Sequence, residues 1–540
     1  MNGTATRRYF GIATVWGLMA GVGAVAQRPP DQQPAAPATP AEGKPAVAPI
    51  AVAGFAGRDL AERDRWLPLA VQETLAWRLR RMPGLVVIPT MRLHQARQEL
   101  QEKSGDPPVA WQRVVPLIGA RRWLIGTCGG NPDALVLDVE LRAIGGTGGV
   151  RKIRLGPGRL FDVLDDATRW VLGELGMAQI DPATEQLVLG PPARSPSAVQ
   201  YYARALAAAR AENLRDAAYY IGNALNYDDA YRPGLMLLAK LELRGTAADR
   251  ARAEQHLRRF RALAARAGDE LDLGQYDIAE GLLLMMVRSF DVARRRFETA
   301  LERATRRSDP YGRLAAMNSL CDYYLNTPPA PPKEASEAQI EQSRRQHLRQ
   351  AAQWQQRVLE LLDALGDKVS RTPATNKLAL IYDRLGDAPH ALAMYQRSIE
   401  AARASGSARN EATSWLFLGQ WYRKQKQWSE AIDAIGRCLK LAGEEAKPRV
   451  RITLAETYRA MGDTAHALEQ YRMAYAALSK GDDLVDQYRC LRGLAELKME
   501  SGDRAAAVAT LSEAIDIAEA LELPEEAELR KQLAAWRKAP

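Results

Sequence analysis

The sequence predicts a mainly α fold, in which a small N-terminal α/β domain, a mixed sheet covered by helices, precedes an α-solenoid. Three observations lead to this prediction. Ala, Leu and Arg are frequent and Phe is scarce, a composition that favours helices. Short apolar runs typical of strands are concentrated between residues 50 and 155. From residue 195 onward, small and bulky residues recur with helical spacing in successive segments.

The N-terminus has the features of an export signal. An Arg7-Arg8 pair precedes an apolar, glycine-rich run, and Ala24–Ala26 fits the rule for a cleavage site. Thr6–Phe10 is similar to a twin-arginine signal, but a standard secretory signal is the competing interpretation. We therefore expect a signal peptide over residues 1–26 and a periplasmic or secreted protein. The alternative is an uncleaved signal that anchors the chain, although the apolar run is short for a membrane span.

An α/β domain is expected over residues 50–180, after a Pro/Ala-rich linker at 27–49 that has little apolar mass to bury. Three strands separated by helical segments indicate parallel pairing, and two strands joined by a glycine-rich turn indicate an antiparallel hairpin. The predicted strands are Ile50–Phe55, Leu85–Ile88, Arg121–Thr127, Ala134–Ile144 and Val150–Leu155. Together they predict a mixed sheet.

Three stretches of this domain carry a resemblance to a known family. They are the strand IAVAGF at Ile50–Phe55, the turn and strand at Met82–Val87, and the segment Ile118–Thr127. With these stretches, residues 50–180 resemble the N-terminal domain of TolB. The resemblance implies a sheet covered by helices, and we expect the domain to dock a partner protein.

Residue patterns for catalysis are lacking in the sequence. The glycine clusters Gly126–Gly130 and Gly145–Gly149 lack the Lys and Ser/Thr of a phosphate-binding loop, so turn formation explains them. Motifs of serine hydrolases, zinc proteases, kinases and calcium-binding loops do not occur. The four cysteines have no metal-ligand spacing and are expected to be buried. A Cys438–Cys490 disulfide is the alternative for these two residues. We expect a non-enzyme without catalytic residues, cofactor or metal.

The clearest repeat pattern lies in the segment 415–439. Its large and small residues follow W-x2-L-G-x2-Y and then small-x3-large-x2-small: Trp415, Leu418, Gly419, Tyr422, Ala431, Ile435 and Cys438. Two packed helices need small residues where their axes pass closest and bulky residues beside them. The segment is therefore identified as a tetratricopeptide repeat.

The same frame fits neighbouring segments and predicts a repeat array over residues 195–540. Its further packing residues are Tyr382, Gly386, Ala391 and Tyr395, then Tyr458, Gly462, Ala467 and Tyr471, then Gly502 and Ala507. The close-contact alanines recur every 36 or 40 residues, apart from one longer interval that suits an insertion near 327–335. We expect seven or eight helix pairs, stacked into a right-handed solenoid with a concave groove.

Arginines crowd the less regular repeats and are candidates for partner binding: Arg258, Arg259, Arg294, Arg295, Arg344 and Arg345. Aligned on helix faces, they would hold an anionic segment, and the alternative is a solvated surface balanced by Glu and Asp. The formal net charge of +9 is mild for 540 residues, and aromatic residues are not interleaved with the arginines, so nucleic acid is not expected. His390 and His466 hold equivalent positions and are expected to be partly exposed helix residues.

The sequence therefore predicts a periplasmic scaffold or adaptor. Its groove would bind acidic or extended segments of one or more partner proteins. Membrane contact is expected only through an uncleaved signal. The alternative is a non-catalytic sensor or regulator of an envelope enzyme or assembly, in which the α/β domain binds a small ligand.

Overall fold

The computed structural model describes residues 49–101, 109–144, 150–190, 192–327, 335–479, 481 and 483–538. The predicted signal peptide, the linker up to residue 48, Gly145–Gly149 and most of the predicted insertion lie outside the described residues. The described residues form two compact units. The first comprises residues up to His94 together with Trp111–Asp367, and the second comprises Gln95–Ala110 and the residues from Lys368 onward. The domain limits 50–180 and 195–540 stay predictions.

The described part of the first unit contains a four-stranded mixed sheet, in the order β1 (Ile50–Gly57), β2 (Arg122–Gly129), β3 (Leu135–Ala143) and β4 (Arg151–Gly158). β1 and β2 are parallel, whereas β3 is antiparallel to both β2 and β4. The predicted strand Leu85–Ile88 is reduced to one bridge between Val87 and Ile50. A turn precedes this stretch, and Pro89, which has no N–H to donate, follows it, so the pairing does not extend.

The main core of the α/β region lies on one face of this sheet, and the other face is also covered at β1 and the start of β2, where Ala51 and Trp123 are buried. Alternate residues of β3, from Leu135 to Leu141, are buried in a core shared with α1 and α4, whereas Asp138 and Glu140 lie on the other, open face. Five α-helices belong to this α/β region: α1 (Leu67–Leu79), α2 (Thr90–Glu99), α3 (Trp111–Leu117), α4 (Leu160–Glu174) and α5 (Pro182–Leu189). The end of α2 is grouped with the second unit.

Four helix pairs complete the first unit. They are α6 (Pro196–Arg210) with α7 (Leu214–Tyr227), α8 (Arg232–Glu242) with α9 (Ala247–Arg266), α10 (Glu270–Met286) with α11 (Phe290–Arg306), and α12 (Pro310–Asn326) with α13 (Glu337–Leu365). The longest helix, α13, has 29 residues and follows the predicted insertion. It ends at Gly366, which has a left-handed backbone conformation that glycine adopts without strain.

A buried arginine–aspartate cluster joins the α/β region to these helices. Arg81 Nε and Nη2, just after α1, each lie 2.7 Å from a carboxylate oxygen, one of Asp269 and one of Asp272. Arg232, the first residue of α8, lies 2.8 Å from both carboxylates. The Arg81 guanidinium also lies 3.5 Å above the Trp77 ring. Two cations thus balance two carboxylates away from water, and the loss of any one would leave a buried charge unbalanced.

Further contacts spread this attachment along the helices of the first unit. Arg210 of α6 pairs with Glu73 of α1 at 2.6 Å, and Arg307 Nη2 at the end of α11 donates a hydrogen bond to the Arg80 carbonyl. Together with the buried cluster at α8 and α10, these contacts bring the α/β region against three of the four helix pairs. Arg92 of α2 also pairs with Asp367, beyond the end of α13.

The second unit repeats the helix pair. Its helices are α14 (Lys368–Leu385), α15 (Ala388–Ser405), α16 (Ala408–Lys424), α17 (Trp428–Leu441), α18 (Lys447–Met461), α19 (Thr464–Leu478), α20 (Leu484–Glu500), α21 (Arg504–Ala520) and α22 (Glu526–Lys538). Of the described residues, 73% are helical, and the mainly α fold with a small mixed sheet is confirmed. The described chain contains eight helix pairs after the α/β region, within the predicted seven or eight.

Paired helices of the second unit approach most closely at small residues. Gly419 of α16 faces α17, and a Cβ added there would meet Ile435 Cγ1 at 2.6 Å and the Ala431 carbonyl at 3.2 Å. Ile435 and Ala431 belong to α17, which also packs against α18, so α17 cannot move away freely. The absence of a side chain at Gly419 therefore sets how closely α16 and α17 pack.

Gly419→Ala is expected to lower the free energy of unfolding by about 1–3 kcal/mol, because the added methyl group overpacks the contact between α16 and α17. The matched control is Gly436→Ala in α17, where a Cβ would meet nothing within 4 Å. That change is expected to raise stability by up to about 1 kcal/mol, because Ala favours a helix interior. Urea unfolding of the full chain, followed by circular dichroism, measures both. Equal effects of the two variants would contradict the assignment of a tight contact.

Candidate partner-binding surface

Most of the predicted packing residues of the second unit lie between the paired helices. Ala391, Ala431, Ala467 and Ala507 are fully buried on the second helix of each pair. Leu418, Ile435, Tyr395 and Tyr471 are also buried, and Tyr382, Tyr422 and Tyr458 pack partly buried against the same clusters. Gly386, Gly462 and Gly502 follow the ends of first helices with positive φ angles, and the aspartate after each caps the next helix.

Trp415 is placed differently from its neighbour Trp421. Trp421 is buried in the cluster that contains Tyr395 and Leu418. Trp415 is only partly buried, with the Arg437 guanidinium 4.8 Å from its ring centroid, and its indole N–H donates to Glu411. The repeat pattern singles out Trp415 alone, so sequence reasoning missed the tryptophan that fills the core.

The six predicted partner-binding arginines all lie on second helices of the first unit. Arg258 and Arg259 are on α9, Arg294 and Arg295 are on α11, and Arg344 and Arg345 are on α13. Four of them have acidic partners: Arg258 with Glu254, Arg259 with Asp229, Arg294 with Glu298, and Arg345 with Glu341. Their role in partner binding stays a prediction.

A row of ion pairs crosses the first helices of the second unit. Arg423 of α16 and Arg489 of α20 each pair with Glu456 of α18, at 2.7 and 2.8 Å. Lys424 of α16 reaches back to Asp383 of α14 at 2.9 Å. Glu496 of α20 completes the row, since it pairs with Arg459 of α18 and with Arg492 of its own helix. These eight residues, here called the ion-pair row, contain five cations and three carboxylates.

The ion-pair row marks one continuous surface because the first helices of successive pairs also contact one another. α14 packs on α16, α16 on α18, and α18 on α20. Such contacts place the first helices on one side of the stack of helix pairs. Most side chains of the row are partly exposed, so their charges are accessible to a bound segment.

Glu456 is the centre of the ion-pair row. Burial opposes the charged form of its carboxyl, but Arg489 and Arg423 outweigh that effect, and the pKa of Glu456 is lowered from its usual 4.5. Glu456 is therefore charged at neutral pH and keeps two guanidinium groups aligned across three helices. A carboxylate between two arginines also holds those donors in place for a further acceptor.

A second polar surface lies on the open face of the sheet in the first unit. It forms a cleft of about 580 Å³ over Ile125–Thr127. Its charged residues form two groups, Arg58 and Arg154 beside Asp138, and Arg142 and Lys152 beside Glu140. Hydrogen bonds from Lys152 and Arg142 lower the pKa of Glu140. Four cations thus face two carboxylates in this cleft.

The histidines and cysteines considered in the sequence have surroundings that explain them by helix capping or burial. His390 and His466 are exposed, and each contacts the aspartate that caps its own helix. Cys438 and Cys490 are buried free thiols, and burial raises the pKa of each to about 12. Among the described residues, no group of His, Cys, Asp and Glu could hold a metal ion. None of the described helices is long and apolar enough to cross a membrane.

Sequence reasoning missed the ion-pair row and the buried arginine–aspartate cluster. One signal for the row is present in the sequence, because Arg423, Glu456 and Arg489 are 33 residues apart and alternate in charge. The predicted partner-binding residues lie instead where arginines are frequent in the sequence, on α9, α11 and α13. The aspartate partners of Arg81 lie 188 and 191 residues away along the chain, and no local pattern indicates that contact.

Glu456→Gln is expected to lower the free energy of unfolding at pH 7 by about 1 kcal/mol, since it removes the charge shared by Arg423 and Arg489. The folded-state pKa of Glu456 is below its unfolded value, so its contribution is complete above about pH 4.5 and is lost as the pH falls through the folded pKa. The difference from wild type should therefore shrink under acid. Urea unfolding at pH 7 and pH 3.5 measures this.

The control for this comparison is Glu444→Gln, whose carboxylate is 88% exposed and pairs only with Lys447. This control should differ little from wild type at either pH. A Glu456→Gln variant that differs from wild type equally at both pH values would argue against the role of Glu456 in the ion-pair row.

One family model agrees with the repeated helix pairs. Residues 371–444 and 410–480 match the family model of the tetratricopeptide repeat. No curated protein matches the chain. A signal-transduction ATPase with a tetratricopeptide repeat sensor from Pyrococcus horikoshii is 14% identical, with a TM-score of 0.44 over 70% of this chain. The chain spans about half of that protein, 55% of its length.

Two further solved structures are similar at low sequence identity. A tetratricopeptide repeat protein from Parabacteroides merdae is 11% identical, with a TM-score of 0.34 over 64% of this chain and 100% of its own. The quorum sensor NprR from B. thuringiensis is 12% identical, with a TM-score of 0.35 over 63% of this chain and 98% of its own. Tetratricopeptide repeat proteins are generally scaffolds for protein–protein interaction. The family model and the helix pairs together show that this chain carries tetratricopeptide repeats.

Proposed function

We propose that this protein is an exported, non-catalytic scaffold that binds extended segments of partner proteins on the first helices of its second unit. The ion-pair row carries the proposal. It aligns five cations and three carboxylates across the first helices of four successive pairs, and most of these side chains are partly exposed. Tetratricopeptide repeats bind protein partners, which agrees with this assignment.

The charge of the ion-pair row favours a segment with acidic residues. Asp486 of α20 also pairs with Arg489, so the five cations of the row face four carboxylates, and an acidic segment would add a further acceptor. Exchange of contacts is inexpensive here, because partly exposed ion pairs contribute little free energy to folding. A partner carboxylate can therefore replace an internal one without a large loss of stability.

The export part of the proposal rests on the N-terminal sequence. The Arg7-Arg8 pair, the apolar run and Ala24–Ala26 support secretion to the periplasm or beyond, by the twin-arginine or the standard secretory route. Such a location would bring the repeats together with proteins of the cell envelope.

The experiment is cross-linking in the cells that make the protein, followed by fractionation and affinity capture of the full chain. The variant Arg459→Gln/Arg489→Gln/Arg492→Gln is expected to lose most of the partner captured by wild type, because it removes three cations of the ion-pair row. The control Arg258→Gln/Arg294→Gln/Arg345→Gln removes three arginines from second helices and should capture it normally. Loss in the control alone would move the binding surface to those arginines, and recovery only from the cytoplasm would refute export.

A second candidate function is a sensor or regulator that binds a small anionic ligand through the α/β region. The cleft of about 580 Å³ on the open sheet face favours it, since its size suits a small ligand and its cations exceed its carboxylates. A ligand such as a nucleotide or a cell-wall muropeptide should then raise the melting temperature of the full chain, and Arg142→Gln should reduce that shift. A screen of both compound classes that leaves the melting temperature unchanged would oppose this function.

A further inference from the structure

β4 forms an edge of the sheet, with β3 as its one neighbour among the described strands. Its eight residues are all partly or fully exposed. An edge strand carries backbone N–H and C=O groups that another extended chain can pair with. Among the described residues, the outer edge of β4 is therefore not paired with another strand.

The side chains of β4 on the open face are basic, whereas the covered face carries Ile153, Leu155 and, at the start of the strand, Arg151, which pairs with Glu174 of α4. Lys152 and Arg154 are 62% and 66% exposed and lie on the open face, opposite Glu140 and Asp138 of β3. Ile153, between them, packs against the core on the covered face together with Leu155. β4 itself contains no carboxylate.

This charge pattern argues against pairing with a second copy of the same strand. Two β4 strands side by side would bring lysine and arginine side chains of equal charge together, and like charges on adjacent strands are destabilising. Basic residues on an edge strand are also a common protection against self-association. A partner strand that carries carboxylates would meet the opposite sign.

We propose that the outer edge of β4 binds an extended segment of a partner protein in which acidic and apolar residues alternate. Neighbouring strands lie about 4.8 Å apart, so carboxylates at alternate positions would come beside Lys152 and Arg154. The apolar residues between them would lie beside Ile153 and Leu155. Arg58 and Arg142, farther along the open face, leave the surroundings of these carboxylates positively charged.

This interaction goes beyond the scaffold function, because it uses backbone pairing on a strand rather than the ion-pair row. It also differs from a small-ligand site in the cleft, which needs charge but no backbone pairing. These differences allow one experiment to separate the three surfaces.

The test uses the full chain and a synthetic nine-residue peptide in which Glu and Val alternate, with binding measured by fluorescence anisotropy. The wild type should bind this peptide more tightly than a peptide in which Lys replaces Glu, or one in which the same Glu and Val residues are grouped in two blocks. Lys152→Gln/Arg154→Gln should weaken binding about 5- to 10-fold through the loss of two exposed ion pairs. The control Arg258→Gln/Arg345→Gln changes the net charge equally and should bind as wild type does.

Backbone pairing is tested with two further peptides, N-methylated at every Val or at every Glu. One of these two edges must face β4, so at least one peptide should lose about tenfold or more in affinity. Normal melting temperatures of the variants would show that they fold. Equal binding of both methylated peptides and the parent, or unchanged affinity of Lys152→Gln/Arg154→Gln, would overturn the proposal.

Discussion

The close approach of paired helices at small residues is the constraint on which the repeat structure depends. At Gly419 the backbone of one helix lies against Ile435 and the Ala431 carbonyl of the next, with no room for a methyl group. Fully buried alanines recur at the equivalent position of the second helices. Once this contact is set, the first helices of successive pairs lie side by side, and their outward side chains form one surface.

The sequence predicts this packing well because the pattern is local. Gly419, Ala431 and Ile435 lie within one pair, and the same spacing in neighbouring segments predicts the helices, the turns and their number. The ion-pair row is harder to predict, since Arg423, Glu456 and Arg489 meet only when three pairs are stacked with a given offset. Arginines that are close together in the sequence, such as Arg294 and Arg295, do not reveal which side of the stack they occupy.

The ion-pair row and the open face of the sheet each carry more cations than carboxylates, and their carboxylates are only partly buried. In the ion-pair row and on the open face of the sheet, arginine and lysine are already oriented by glutamate or aspartate. Because these side chains are already ordered, less conformational entropy is lost when a partner binds. It also favours rapid, salt-sensitive association with acidic segments.

The buried arginine–aspartate cluster has a consequence for how the chain can be divided. Arg81 belongs to the α/β region, whereas Arg232, Asp269 and Asp272 belong to the repeats. A cut near residue 190 would therefore leave unbalanced charges on both fragments. Each fragment would expose a surface shaped to be covered. The sheet and the first four helix pairs thus form one compact unit, and their separation would expose to water charges that are otherwise balanced in its interior.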